Sequence, residues 1–125
     1  MTVLLVDSDK LLADNFSSVM NEIGHETVWQ VELQAALESM DTKKPDAVVM
    51  DINLADRSGV ELLYELRSYP EWQKLPIIIW SDAAEVRQGI SPKVFKNLGV
   101  TSYLPKSTTG VRSLASSLEA SLANN

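Results

Sequence analysis

The chain alternates between two hydrophobic periods. Short unbroken apolar runs recur at residues 3–6 (Val-Leu-Leu-Val), Ala47–Met50 and Ile77–Trp80, each carrying β-branched residues or their neighbours in bulk. A strand that is apolar on both faces belongs in a parallel sheet covered by helices on each side. Residues 27–31 and Ser102–Leu104 are shorter or more polar, which suits the edges of such a sheet. Pro105 cannot donate to a ladder, so its place at the end of the last run also points to an edge.

Between the runs the period changes to that of a helix. Leu12, Phe16, Val19, Met20 and Ile23 form one stripe, with Gly24 placed to stop it. Leu33, Ala36, Leu37 and Met40 form a second, closed by Lys43-Lys44-Pro45. Leu62, Leu63 and Leu66 mark a third that ends near Pro70. Val94, Phe95 and Leu98 mark a fourth, with Ser91 as N-cap and Pro92 at the first helical position. Val111, Leu114, Ala115, Leu118 and Leu122 mark the last. Five repeats of strand then helix, joined by right-handed crossovers, predict a single doubly wound α/β domain over residues 1–125, with Asn124-Asn125 as a frayed end.

Composition narrows the function. Hydrophobic residues make up 45% and charged residues 22%, the balance of a globular chain with a proper core. A net charge of −6, from 11 basic against 17 acidic residues, argues against a surface for nucleic acid. With no cysteine there is no disulfide scaffold, thiolate metal site or thiol nucleophile. No apolar run could cross a bilayer, and Asp7 interrupts the start before a signal peptide could form. The expected location is cytoplasmic.

In an open parallel sheet, ligands bind beyond the carboxyl ends of the strands. There the first strand offers Asp7, Ser8 and Asp9, and the third offers Asp51 and Asn53. The fourth offers Ser81 and Asp82, and the fifth offers Lys106. Two carboxylates meeting in a cleft repel each other unless a cation lies between them. Oxygen donors without His or Cys select Mg²⁺. A cation, a lysine and a carboxylate nucleophile are together what phosphoryl transfer needs, and Asp51 ends the central apolar strand.

These residues resemble the response-regulator receiver domain of bacterial two-component signalling. The resemblance rests on residues 3–9 (Val-Leu-Leu-Val-Asp-Ser-Asp), residues 48–54 (Val-Val-Met-Asp-Ile-Asn-Leu) and Gly59. It continues in residues 76–81 (Pro-Ile-Ile-Ile-Trp-Ser) and 103–106 (Tyr-Leu-Pro-Lys). It implies a flavodoxin-like (βα)5 fold with strand order 2-1-3-4-5. Asp51 would be the phosphoacceptor, with Lys106 and Ser81 contacting the phosphoryl group. Asp7, Asp51 and the Asn53 carbonyl would hold Mg²⁺, and Tyr103 would be the switch aromatic. The phosphoryl donor would be a histidine kinase, a phosphotransfer protein or a small acyl phosphate. Output would pass through the face of the fourth helix, fifth strand and fifth helix to a protein target or a fused output domain, and a transient homodimer is compatible with this. The resemblance implies a switch rather than an enzyme, catalysing at most its own phosphorylation and dephosphorylation.

The chain departs from the family pattern at several points. Ser8 stands where a second acid is usual, and Asp82 where a very small residue is usual. Asp9 is acidic but one residue further on, and Asp82 either replaces the carboxylate that Ser8 lacks, disables the site by repelling a phosphoryl group, or is a solvated loop residue. Ala55 and Ser107 replace common prolines, and residues 82–100 form a longer stretch interrupted by Gly89 and Pro92. These departures motivate a competing reading, a pseudo-receiver that binds partners without phosphorylation. A flavin- or nucleotide-binding domain of similar topology fits poorly, because the Asp7-Ser8-Asp9 loop repels phosphate. Other features take plain structural readings. Asp9 caps the first helix, His25 is a solvated turn residue with no partner, Trp80 packs in the core, Trp72 is a lid over it, and Lys43-Lys44 is solvated.

Overall fold

Five parallel strands build the centre of the chain: β1 (Thr2–Val6), β2 (Glu26–Gln30), β3 (Ala47–Met50), β4 (Ile77–Trp80) and β5 (Ser102–Leu104). The computed structural model describes residues 1–54, 58–82 and 92–123. The strands pair in the order β2-β1-β3-β4-β5, so β1 and β3 are flanked on both sides and β2 and β5 are the edges. The continuous apolar runs fall on β1, β3 and β4. Each inner residue of these runs is buried because both faces of the sheet are covered.

The alternation of side chains along each strand divides the core in two. Leu4, Val6, Val48, Met50, Ile77 and Ile79 face one side. There they meet α2 (Leu33–Thr42), α3 (Gly59–Ser68) and Phe95 of α4 (Pro92–Asn97). Val3, Leu5, Val49, Ile78 and Trp80 face the other, against α1 (Lys10–Glu22) and α5 (Val111–Ala123). Full burial of each such aliphatic side chain contributes about 1.5–3 kcal/mol against the conformational entropy of folding.

Helix ends follow local chemistry. The Asp9 side chain accepts from the Leu12 N–H and caps α1, as its position suggested. Ser58 caps α3 through the Val60 N–H. Gly24, at φ +85°, takes the left-handed turn that ends α1. Pro92 opens α4 as expected. Its proposed cap Ser91 lies outside the described residues, as do Ala55, Gly89 and Asn124-Asn125.

Three expectations need correction. The second strand lies one residue earlier than its apolar pattern, because pairing with β1 runs from Glu26 to Gln30 and leaves Val31 exposed. Ile23 is exposed rather than part of the α1 stripe, since it is the C-cap and its backbone has left the helix. His25 is not a solitary turn residue. Its ring contacts Glu119 of α5 and the Met1 amino group, so it ties the start of β2 to a helix 94 residues away.

The molecule also contains a feature the apolar pattern does not announce. Pro70–Trp72 form one 3₁₀ turn after α3, and Trp72 is buried there as a lid. Arg67 fastens this turn. Its Nε donates to the Leu98 carbonyl (2.7 Å), Nη1 to the Trp72 carbonyl (2.6 Å) and Nη2 to the Gly99 carbonyl (3.1 Å). Partial burial holds this guanidinium below its ordinary pKa.

Candidate functional site at the strand ends

The parallel ladder continues one residue past β1, β3 and β4, and this brings the site together. The Asp7 N–H donates to the Gln30 carbonyl, that of Asp51 to Val6, and that of Ser81 to Leu104. The Lys106 N–H reaches back to the Ser81 carbonyl at 3.3 Å. Four side chains from four strands therefore converge at one rim. Asp7 and Ser81 are wholly buried, and Asp51 is 6% exposed.

Asp51 is the hub. Its Oδ1 accepts from Ser81 Oγ at 2.6 Å and from the Asn53 N–H at 3.0 Å. Its Oδ2 accepts from Lys106 Nζ at 2.6 Å. Lys106 Nζ also lies 2.8 Å from Asp7 Oδ2, close enough for an ion pair but outside hydrogen-bonding angles. Asp7 Oδ1 accepts from the Asp9 N–H at 2.9 Å, so Asp7 Oδ2 is a buried oxygen without a hydrogen-bond donor. Two carboxylates thus face one ammonium, leaving a local excess of one negative charge among largely buried side chains.

The protonation equilibria reflect burial first and these neighbouring charges second. Burial pushes the Asp7 carboxyl above its usual range, and the Asp51 charge adds to the rise. The Lys106 ammonium and the Asp9 N–H offset it only in part. For Lys106, burial opposes the charged form, yet the hydrogen bond to Asp51 and the charges of Asp51 and Asp7 outweigh it and hold the ammonium above its ordinary value.

A buried carboxylate oxygen that accepts no hydrogen bond, beside a second carboxylate, suits a small hard cation, and Mg²⁺ is commonly held by one or two carboxylates with the rest of its shell from water and phosphate. Among the described residues no three His, Cys, Asp or Glu side chains gather as metal ligands. Asp9 is turned to its capping role, and Asp82 is exposed and adds no third carboxylate to the pair. Ser8 is exposed at the same rim. The carboxylates that meet at this rim are those of Asp7 and Asp51.

Other residues shape the site from behind. The Tyr103 hydroxyl donates to the Ser81 carbonyl at 3.1 Å, and its ring stacks on Phe95 of α4 at 6.1 Å between centroids. Gly59 packs so closely under the loop after β3 that a Cβ there would lie 2.5 Å from the Asp51 carbonyl oxygen. Two tryptophans touch the site through contacts that strand periodicity alone does not disclose. Trp29 Nε1 donates to the Asp7 carbonyl at 2.8 Å, and Lys106 Nζ sits over the Trp80 ring, 5.5 Å from its centroid.

Comparison with known proteins identifies the family of this fold. The family model of the response regulator receiver domain matches residues 3–117. The chain is 30% identical over 107 residues to the KDP operon transcriptional regulatory protein KdpE of Escherichia coli, covering 85% of this chain and 45% of that protein. It is 28% identical over 105 residues to the response regulator MprA of Mycolicibacterium vanbaalenii, covering 83% and 43%. It thus spans under half the length of the curated relatives it matches. A CheY-like receiver domain from Methylobacillus flagellatus superposes with a TM-score of 0.79 at 26% identity, over 96% of this chain and 97% of that one. The chemotaxis response regulator CheY4 of Vibrio cholerae shares the fold, with a TM-score of 0.82 at 20% identity over 95% and 96%. No described helix is long and apolar enough to cross a membrane. With this fold, this strand order and a family match over nearly its whole length, the chain belongs to the response regulator receiver domains of two-component signalling.

Proposed function

We propose that this receiver is a working phosphoacceptor, modified on Asp51 in the presence of Mg²⁺. One observation carries the reading: the Asp51 carboxylate is engaged at once by Ser81 Oγ, Lys106 Nζ and the Asn53 N–H, beside the Asp7 Oδ2 that pairs with the same ammonium. In the reaction an Asp51 carboxylate oxygen attacks phosphorus and forms an acyl phosphate. The bond from phosphorus to the donor breaks, and the donor leaves as a histidine imidazole or, from acetyl phosphate, as acetate. Mg²⁺, when bound by Asp7, Asp51 and the Asn53 carbonyl, supplies positive charge for the phosphoryl oxygens. Lys106 supplies a second positive charge, and Ser81 offers its hydroxyl once the phosphoryl group is present.

Tyr103 then links the site to the outside. It bonds the backbone of Ser81 at one end and stacks on Phe95 at the other, so a shift of Ser81 is felt by α4. The output surface is the face of α4, β5 and α5. Its target is a protein partner or a fused output domain, and the donor is a histidine kinase or phosphotransfer protein. Intact mass after incubation with acetyl phosphate and Mg²⁺ tests this. A phosphoryl increment is expected that disappears with chelator and in Asp51→Asn. A folded native chain that gains no mass from either acetyl phosphate or a phosphorylated histidine donor would refute it.

A further inference from the structure

We propose that Trp80 is a positioning residue that holds the Lys106 ammonium in place over Asp51. The inference rests on the function just described, but its evidence is a separate set of contacts. Lys106 Nζ meets two carboxylates, Asp51 Oδ2 at 2.6 Å and Asp7 Oδ2 at 2.8 Å. The same Nζ lies over the indole of Trp80. The negative face of an indole attracts an ammonium, most strongly where water is scarce. The Lys106 side chain is only 16% exposed, and Trp80 is 1% exposed.

The same indole fixes the loop that carries Lys106. Trp80 Nε1 donates to the Thr109 carbonyl at 3.1 Å, three residues beyond the lysine. Within the loop, the N–H groups of Thr108 and Thr109 both turn back to the Pro105 carbonyl. One rigid side chain on β4 therefore grips the segment between β5 and α5 twice, by ring face at Lys106 and by N–H at Thr109. β5 is a three-residue edge strand, so it gives this segment little support of its own. Trp80 directly precedes Ser81. The strand that presents the hydroxyl to Asp51 thereby also sets the position of the lysine opposite.

The experiment separates the ring face from the N–H. Trp80→Phe keeps an aromatic face and loses the donor, and Trp80→Leu loses both. In the unphosphorylated native chain, the proton resonances of the Lys106 Cε group should be moved upfield by the ring current. That shift should persist in Trp80→Phe and vanish in Trp80→Leu. Phosphorylation by acetyl phosphate, followed by intact mass, should slow by about 5- to 30-fold in Trp80→Leu and by no more than about 3-fold in Trp80→Phe. A native chain without the upfield shift would overturn the proposal, as would a folded Trp80→Phe as slow as Trp80→Leu. Should Trp80→Leu fail to fold, the native resonances and the Trp80→Phe rate still decide. A native chain that takes no phosphoryl group would refute the proposed function while leaving the resonance test intact.

Discussion

Gly59→Ala is a demanding probe of the packing beneath Asp51. The added methyl would lie 2.5 Å from the Asp51 carbonyl oxygen, 2.8 Å from Ile52 Cα and 3.0 Å from Met50 Cε. The methionine tip can move, but the first two are backbone atoms. To reach ordinary contact these atoms must move apart by a further distance of roughly 0.6–0.9 Å. Little slack is available on either side. The Asp51 N–H is bonded to Val6 at 2.9 Å, and the Gly59 N–H to the Ile52 carbonyl at 2.6 Å. Overpacking of this kind costs about 1–3 kcal/mol where side chains can yield, and the upper end applies where backbone must shift. Alanine recovers part of this through helix propensity and a less flexible unfolded chain, about 0.4–1 kcal/mol.

The net expectation is a loss of about 2 kcal/mol, or roughly 6–10 °C in melting temperature for a domain of this size. Urea unfolding followed by far-ultraviolet circular dichroism measures it. Gly110→Ser is the control, because Gly110 has open space around its Cβ position and lies just before α5. The phosphorylation rate should fall along with stability in Gly59→Ala, since the displaced backbone is that of the proposed phosphoacceptor. A midpoint equal to or above that of the native chain would refute the argument from close approach.

The remaining predictions use other contacts. Asp7→Asn should raise the melting temperature of the metal-free protein at neutral pH. Burial holds the Asp7 carboxyl above 3.8, so its protonated form is favoured by folding, and stability from this group falls as pH rises from 3.8 through its folded value. The advantage of Asp7→Asn should accordingly shrink toward pH 4, and a melt series with chelator that shows no such trend would contradict it. Tyr103→Phe keeps the stack on Phe95 and loses the bond to the Ser81 carbonyl, at a cost of about 0.5–1.5 kcal/mol in urea unfolding. Arg67→Lys replaces a planar fan of donors by a point charge and should lose about 2–3 kcal/mol, because three carbonyls share the guanidinium. Glu119→Gln should change stability by less than about 1 kcal/mol, since the carboxylate paired with His25 is half exposed.

The scaffold was legible in the sequence because buried parallel strands leave continuous apolar runs, and their carboxyl ends are where the fold collects polar groups. Asp7, Asp51, Ser81 and Lys106 could be assembled on that rule alone, and the structure brings the four together. The role of Asp9 as a cap was equally local and equally readable. Contacts between distant segments were not. Neither Trp29 beneath the Asp7 carbonyl nor Glu119 beside His25 leaves a periodic trace, because each depends on how far two elements slide past one another. Arg67 is similar: an arginine in the last turn of a helix reads as solvated until the carbonyls of two other segments are placed around it.

Those Arg67 contacts have a mechanical consequence. Leu98 and Gly99 follow the last turn of α4, and both are anchored through their carbonyls to α3. A rod pinned at one end swings about the pin and does not slide. If phosphorylation at Asp51 disturbs the segment after Ser81, the displacement should grow along α4 with distance from Leu98. Spin labels at Lys93 and Lys96 would then report unequal travel, with the larger at Lys93. Arg67 would act as a fulcrum, turning a small movement at the proposed phosphoacceptor into a change of tilt at the proposed output face.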